Sequence, residues 1–272
     1  MAVADPPGQG PKQRDFGKPE RTPLAALPKP LWGLWRQSGL CLIGQTGGGM
    51  RFDLVIFDCD GVLIDSEIIS ATMLIEELAR LGVQIDLAYV ARHFLGRSYP
   101  TVMQTIRQEF NLTLPPEFED QYRARLLAAF ESGLKIMPDV AGVIAALAVP
   151  FCVATSSSPM RAAKSLQMVG LGHLVGEGLF TATMVARGKP APDLFLHAAA
   201  RMGADPARCL VIEDSLTGIR AAKAAGMPVW RFTGGSHLAG RHLDEPEDAR
   251  PDARFAAFGQ FFDLAPDLKA QP

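Results

Sequence analysis

The amino-acid sequence predicts an α/β fold: a parallel sheet with helices on both faces, carrying a small helical domain after its first strand. Three observations lead there. Uninterrupted apolar runs at Leu54-Val55-Ile56-Phe57, Phe151-Cys152-Val153-Ala154 and Cys209-Leu210-Val211-Ile212 read as strands covered on both faces. From Phe151 onward, strand-like runs alternate with helical stretches, the pattern of parallel strands joined by helical crossovers. Between the first two runs, residues 66–137 read as helical throughout.

Residues 1–49 are rich in Pro, Gly and basic residues and lack sustained periodicity, so a disordered extension is expected. Trp32 and Trp35 are its only concentrated apolar feature, and Arg36-Gln37 ends that feature short of a signal-peptide core. Two other readings stay open: Met50 as the natural start, and a tail that docks a partner through Trp32 and Trp35. The first strand follows over 52–57, broken only by Asp53. In the helical stretch, Ile68, Ile75, Leu78 and Leu81 give one apolar face before Gly82. Val102, Ile106 and Phe110 give a second, and Tyr122, Leu126, Leu127 and Phe130 a third. The crossings near Asp65-Ser66 and Lys135–Pro138 are expected to hinge.

The remainder reads as strand 151–154, helix 159–169, strand 179–182, helix 192–202 and strand 209–212. Helix 216–225 follows, with Ser215 as its cap and Gly226 as its stop. Strand 229–232 comes next, and 254–264 adds a short strand and a helix. The arrangement is Rossmann-like, with a core of 51–65 and 138–265 and a helical cap of 66–137.

The chemistry concentrates at strand ends. Asp58 and Asp60 stand two residues apart just past a buried strand. Neighbouring carboxylates repel and are costly to desolvate, so a purely structural loop has little reason to carry both. One as nucleophile and the other as proton donor is a reason, and a nearby cation would make the pair tolerable. Gly61 allows the sharp turn and is expected to lie against the substrate. Thr155, Ser156 and Ser157, followed by Ser158-Pro159, form a hydroxyl-rich helix start suited to an anion or to simple capping. Lys189, between Gly188 and Pro190, is a fixed ammonium able to neutralise a phosphate and Asp58 together. Glu213 and Asp214 close another buried strand, and their hard oxygens suit Mg²⁺.

These residues, in this order, resemble the haloacid-dehalogenase-like hydrolase superfamily. Asp58-Cys59-Asp60-Gly61-Val62-Leu63 matches its first motif, Thr155 the second, Lys189-Pro190-Ala191-Pro192 the third, and Glu213-Asp214 the fourth. The resemblance implies a Mg²⁺-dependent phosphatase acting through an aspartyl-phosphate. Asp58 would be the nucleophile and Asp60 the acid and base, with Thr155 and Lys189 holding the phosphate. The metal set it implies is Asp58, Asp60, Glu213 and Asp214, with Asp214 a direct side-chain ligand and Glu213 a direct or water-mediated one. The helical insertion resembles the small cap of the beta-phosphoglucomutase type. In that family the loop Phe94-Leu95-Gly96-Arg97-Ser98 would reach the site and select substrate, Arg97 pairing with a carboxylate or second phosphate or lying solvated beside a cap at Ser98. The resemblance extends to sugar-phosphate phosphatases, including those that act on 6-phosphogluconate or on hexose and pentose phosphates.

Several other classes fit less well. A dehalogenase does not need the second carboxylate, Asp60. A phosphonatase of the family needs a cap Lys, and residues 66–131 contain none. The resembled mutase has an early cap His; residues 66–92 contain none, and Ser70 stands near that place. A non-catalytic binding module would be expected to lack one of Asp58, Asp60, Lys189 and Asp214. The formal net charge of −2 gives no electrostatic footprint for nucleic acid or an anionic membrane. No apolar run approaches a membrane span. Cys41, Cys59, Cys152 and Cys209 lack metal-ligand spacing, so reduced thiols and a cytoplasmic location are expected. The expected partners are a small phosphate ester and, at most, a second copy in a weak homodimer.

Overall fold

The computed structural model describes residues 52–241 and 245–271. The expectations for residues 1–49, for Met50 as a start and for Cys41 lie outside those residues. The sheet has six parallel strands in the order β3-β2-β1-β4-β5-β6: β1 Leu54–Phe57, β2 Phe151–Thr155, β3 Leu179–Thr181, β4 Cys209–Glu213, β5 Val229–Phe232 and β6 Ala253–Phe255. The chain runs outward from β1 to β2 and β3, then returns to β4 on the other side. Ligands of open parallel sheets collect at the carboxyl edge where strand order reverses in this way.

Strand side chains alternate between the two faces. Leu54 and Ile56 join Val211 and Val229 against α7 (Asp193–Met202) and α8 (Leu216–Ala224). Val55 and Phe57 join Ile212 and Phe232 on the opposite face, under α5 (Val140–Ala145), α6 (Pro159–Met168) and the aromatic cluster of Phe255, Phe258 and Phe261. All four residues of β1 are 1% exposed or less, as an apolar run buried on both faces requires. The first strand begins at Leu54 rather than Phe52. The expected terminal strand and helix are β6 and the single turn α9 (Phe261–Leu264).

The helical stretch is four helices: α1 Glu67–Arg80, α2 Leu87–His93, α3 Tyr99–Glu109 and α4 Phe118–Gly133. They enclose a separate apolar cluster built on Leu74, Leu78, Met103, Ile106, Leu126 and Phe130. Two adjacent segments join them to the sheet: Asp65 N–H donates to Lys135 O at 2.9 Å and Met137 N–H to Leu63 O at 2.9 Å. The buried face of α1 is Ala71, Leu74, Glu77 and Leu78, with Ile68 and Ile75 only half-buried at its sides. Apolar spacing alone could not place a carboxylate inside. Glu77 is tolerated because Arg125 Nη1 donates to both its oxygens (2.6 and 2.7 Å) and Arg80 Nη1 to one at 2.5 Å. Glu77→Ala should cost about 1–2 kcal/mol, discounted because both arginines are partly solvated. An unchanged urea midpoint would contradict that role.

Among the described residues no helix is long and apolar enough to cross a membrane. Cys59, Cys152 and Cys209 are free and buried.

Candidate active site

Every motif residue projects from the carboxyl edge of the sheet. After β1 the chain coils around one carbonyl: Val62, Leu63 and Ile64 N–H groups all point at Cys59 O (2.9–3.3 Å), and Gly61 N–H donates to Ile64 O at 2.8 Å. This tight turn aims Asp58 and Asp60 outward. Gly61 sits at φ +79°, and a Cβ there would come within 1.9 Å of Asp214 Oδ2. No other residue fits both the backbone and the gap. Gly61→Ala should therefore displace Asp214 and weaken the binding of a divalent cation at this cluster in a calorimetric titration with Mg²⁺. Wild-type affinity in that variant would show that the close approach is not needed.

Asp58 is 6% exposed and Lys189 equally so. Lys189 Nζ donates to Asp58 Oδ1 at 2.6 Å, Glu213 Oε1 at 2.7 Å and Ala154 O at 3.0 Å, which uses all three of its protons. Burial opposes a charge on Lys189, but Asp58 and Glu213 outweigh it and raise its pKa above the ordinary value. Glu213 is fully engaged. Its other oxygen accepts from Asp214 N–H, Ser215 N–H and Ser215 Oγ, each at 2.9 Å. Gly218 in α8 lets Glu213 lie against the helix, since a Cβ there would fall 1.7 Å from Glu213 Oε1. Ser215 Oγ caps α8 by accepting from Gly218 N–H at 3.0 Å.

Asp58, Glu213 and Asp214 each bring a carboxylate oxygen within 4.8 Å of the others. Burial pushes the Asp58 and Asp214 carboxyls well above the usual carboxylate range; Lys189 opposes the rise, and the neighbouring carboxylates reinforce it. Asp214 Oδ2 is buried without a hydrogen-bond partner, although His237 Nε2 lies 2.9 Å away. Crowded hard oxygens with one unsatisfied carboxylate atom suit a divalent cation of the Mg²⁺ type.

The fourth carboxylate of the expected metal set, Asp60, lies outside this cluster. Its side chain is turned to four donors: Ser66 Oγ at 2.6 Å and Arg161 Nη2 at 2.8 Å on Oδ1, Ser157 Oγ at 2.6 Å and Thr155 Oγ1 at 3.4 Å on Oδ2. Burial alone would raise its pKa; Arg161 and the hydroxyls outweigh burial and lower it. Thr155, expected to hold phosphate, and Ser157, in the hydroxyl-rich helix start suited to an anion or to capping, are thus both donors to Asp60. Thr155 Oγ1 also accepts from Ser157 N–H at 3.0 Å. Ser156 Oγ instead donates to Gly96 O at 3.1 Å and so holds the Phe94–Ser98 loop against the sheet edge. Arg97 is exposed, and Ser98 begins α3 without a side-chain cap, its hydroxyl paired with Thr101 at 2.9 Å. Both line the same cavity of about 450 Å³ as Asp58, Asp60, Lys189 and Asp214.

Three contributors escaped the sequence reading. Ser66 bonds Asp60 from the crossing into α1, and Arg161 reaches it from the third position of α6. A cation in the first turn of a helix opposes the helix dipole, and that misfit was the available sign. His237, beside Asp214, stands in the loop after β5 at the same sheet edge.

The chain matches the family described as haloacid dehalogenase-like hydrolase over residues 52–226. It is 29% identical to 6-phosphogluconate phosphatase of Escherichia coli K12 over 188 residues, 69% of this chain and 85% of that one. It is 34% identical to a fructose-1-phosphate phosphatase of the same organism over 183 residues, 65% and 94% of the two chains. A crystal structure of a hydrolase of this family from Deinococcus radiodurans R1, with bound phosphate and sodium, superposes with a TM-score of 0.64 at 33% identity, covering 82% of this chain and 100% of that one.

Proposed function

The chain belongs to the haloacid dehalogenase-like hydrolases and is a phosphoric monoester hydrolase, and from that premise we propose that it hydrolyses small sugar phosphates with Mg²⁺ through a phosphorylated Asp58. The observation that carries this reading is Asp58 itself: a buried carboxylate at the end of β1, held by Lys189 at 2.6 Å and flanked by Glu213 and Asp214.

In the first half-reaction an Asp58 carboxylate oxygen attacks phosphorus and the phosphorus–oxygen bond of the ester breaks. Asp60, ionised at rest beside Arg161 and the hydroxyls, takes up a solvent proton as the ester enters and gives it to the departing alkoxide. In the second, Asp60 takes a proton from water as that water's oxygen attacks phosphorus. The acyl-phosphate bond then breaks, releasing inorganic phosphate and free Asp58. Lys189 faces the incoming negative charge and keeps Asp58 oriented. Mg²⁺, held by Asp58 and Asp214 with Glu213 beside them, would neutralise charge between the anionic nucleophile and the anionic phosphate. The four helices 67–133 act as the cap, and Arg97 and Ser98 meet the sugar from their loop.

The sugar-phosphate class is supported by the two relatives, whose names specify 6-phosphogluconate and fructose 1-phosphate. It also agrees with a cavity that offers both apolar and charged walls. The test is phosphate release with Mg²⁺ across sugar-acid, hexose, pentose and polyol phosphates, phosphoglycolate and nucleotides, with isomerised sugar phosphate followed in parallel. Release concentrated on one group of sugar or sugar-acid phosphates is expected. Isomer formation without release would replace hydrolysis by phosphoryl return.

A further inference from the structure

We propose that Arg161 is a positioning residue that sets the orientation of Asp60 for proton transfer and ties that orientation to the docked helical insertion. This rests on the reading of Asp60 as the acid and base. The two oxygens of Asp60 are held from different parts of the molecule. Oδ2 is bound by Thr155, the last residue of β2, and by Ser157 just after it, at the sheet edge. Oδ1 is bound by Ser66, at the crossing into α1, and by Arg161.

Arg161 belongs to the sheet layer through α6, yet its guanidinium also contacts the insertion. Nη2 donates to Asp60 Oδ1 at 2.8 Å and to Ser70 Oγ of α1 at 3.2 Å. Its Cζ lies 5.4 Å from the centroid of the Phe130 ring of α4. Ser70 is itself fixed, its hydroxyl donating to Ser66 O at 2.9 Å. Helices α1 and α4 adjoin the two crossings, so one planar cation touches Asp60 and both helices at the joint. Nε is buried and unpartnered, so the Nε–Nη2 edge of the guanidinium is closed to a ligand anion. The side chain is 24% exposed, and it spends its paired donor on Asp60 and Ser70.

Lys could replace the charge but not the planar group that serves Asp60, Ser70 and the Phe130 face together. Arg161→Ala and Arg161→Lys would be compared with wild type on two esters: p-nitrophenyl phosphate, whose phenolate departs without protonation, and an alkyl sugar phosphate that needs a proton on its leaving oxygen. The quantity read is kcat/KM, which reports the first chemical step. Arg161→Ala should lose on the order of 10²-fold on the alkyl ester, the size of an acid–base contribution, and much less on the aryl ester. Added guanidinium ion should restore part of the alkyl activity. Arg161→Lys should fall in between and serves alone if the Ala variant does not fold. Equal losses on both esters, or none on either, would overturn the role. Wild-type inactivity toward both would overturn the phosphatase reading, and this role with it.

Discussion

Asp58→Asn should abolish turnover while leaving the protein folded. The amide has the shape of the carboxylate but no charge and no nucleophilic oxygen, so the covalent step has no entry. A loss on the order of 10⁴-fold or more is expected, the scale seen when a nucleophile is removed from a site that otherwise remains intact. The fold should survive because Lys189 is not orphaned: Glu213 Oε1 at 2.7 Å and Ala154 O at 3.0 Å still hold it. Burial also disfavours charge on Asp58, so a neutral group there relieves a desolvation penalty. The checks are steady-state phosphate release and a thermal melt. Retained release at a hundredth of wild-type rate or more would remove Asp58 from the nucleophile's role, while a lost melting transition would mean its pairing is structural.

Chelation of divalent metal is expected to give the second large effect, on the proposed mechanism. Asp58, Glu213 and Asp214 are buried within 4.8 Å of one another, and Lys189 supplies one positive charge to the three. Removing the cation leaves an anionic nucleophile facing an anionic phosphate. A bound metal contributes several kcal/mol of charge stabilisation in such transfers. At about 1.4 kcal/mol per tenfold, the loss on adding EDTA is on the order of 10²–10³-fold, reversed by excess Mg²⁺. Asp214→Asn should raise the Mg²⁺ concentration needed for half-maximal activity. EDTA-insensitive turnover would remove the cation and Asp214 as its ligand.

The framework was legible because its signals are local. A strand buried on both faces must be apolar along its length, so the runs Leu54–Phe57, Phe151–Ala154 and Cys209–Ile212 announce themselves, and the last two strands extend one polar residue further, to Thr155 and Glu213. A carboxylate or hydroxyl at the end of such a run stands out for the same reason. The pairing of side chains across the site was not legible. Arg161 meets Asp60 across 101 positions, and nothing near either residue names the other. Thr155 and Ser157 carry the right chemistry for phosphate, yet their hydroxyls point at Asp60, a matter of rotamer and not of residue type. Glu77 broke the helical stripe because ion pairing with Arg125, from a helix distant in sequence, outweighed its polarity.

The most direct measurement is an acid quench during turnover of a good phosphate ester, followed by mass spectrometry of the peptide that contains Asp58. A phosphate adduct on Asp58, labile to hydroxylamine and absent from Asp58→Asn, is the predicted result. Steady turnover with the phosphate on another residue, or with no enzyme-bound phosphate under conditions that preserve acyl phosphates, would contradict covalent catalysis by Asp58.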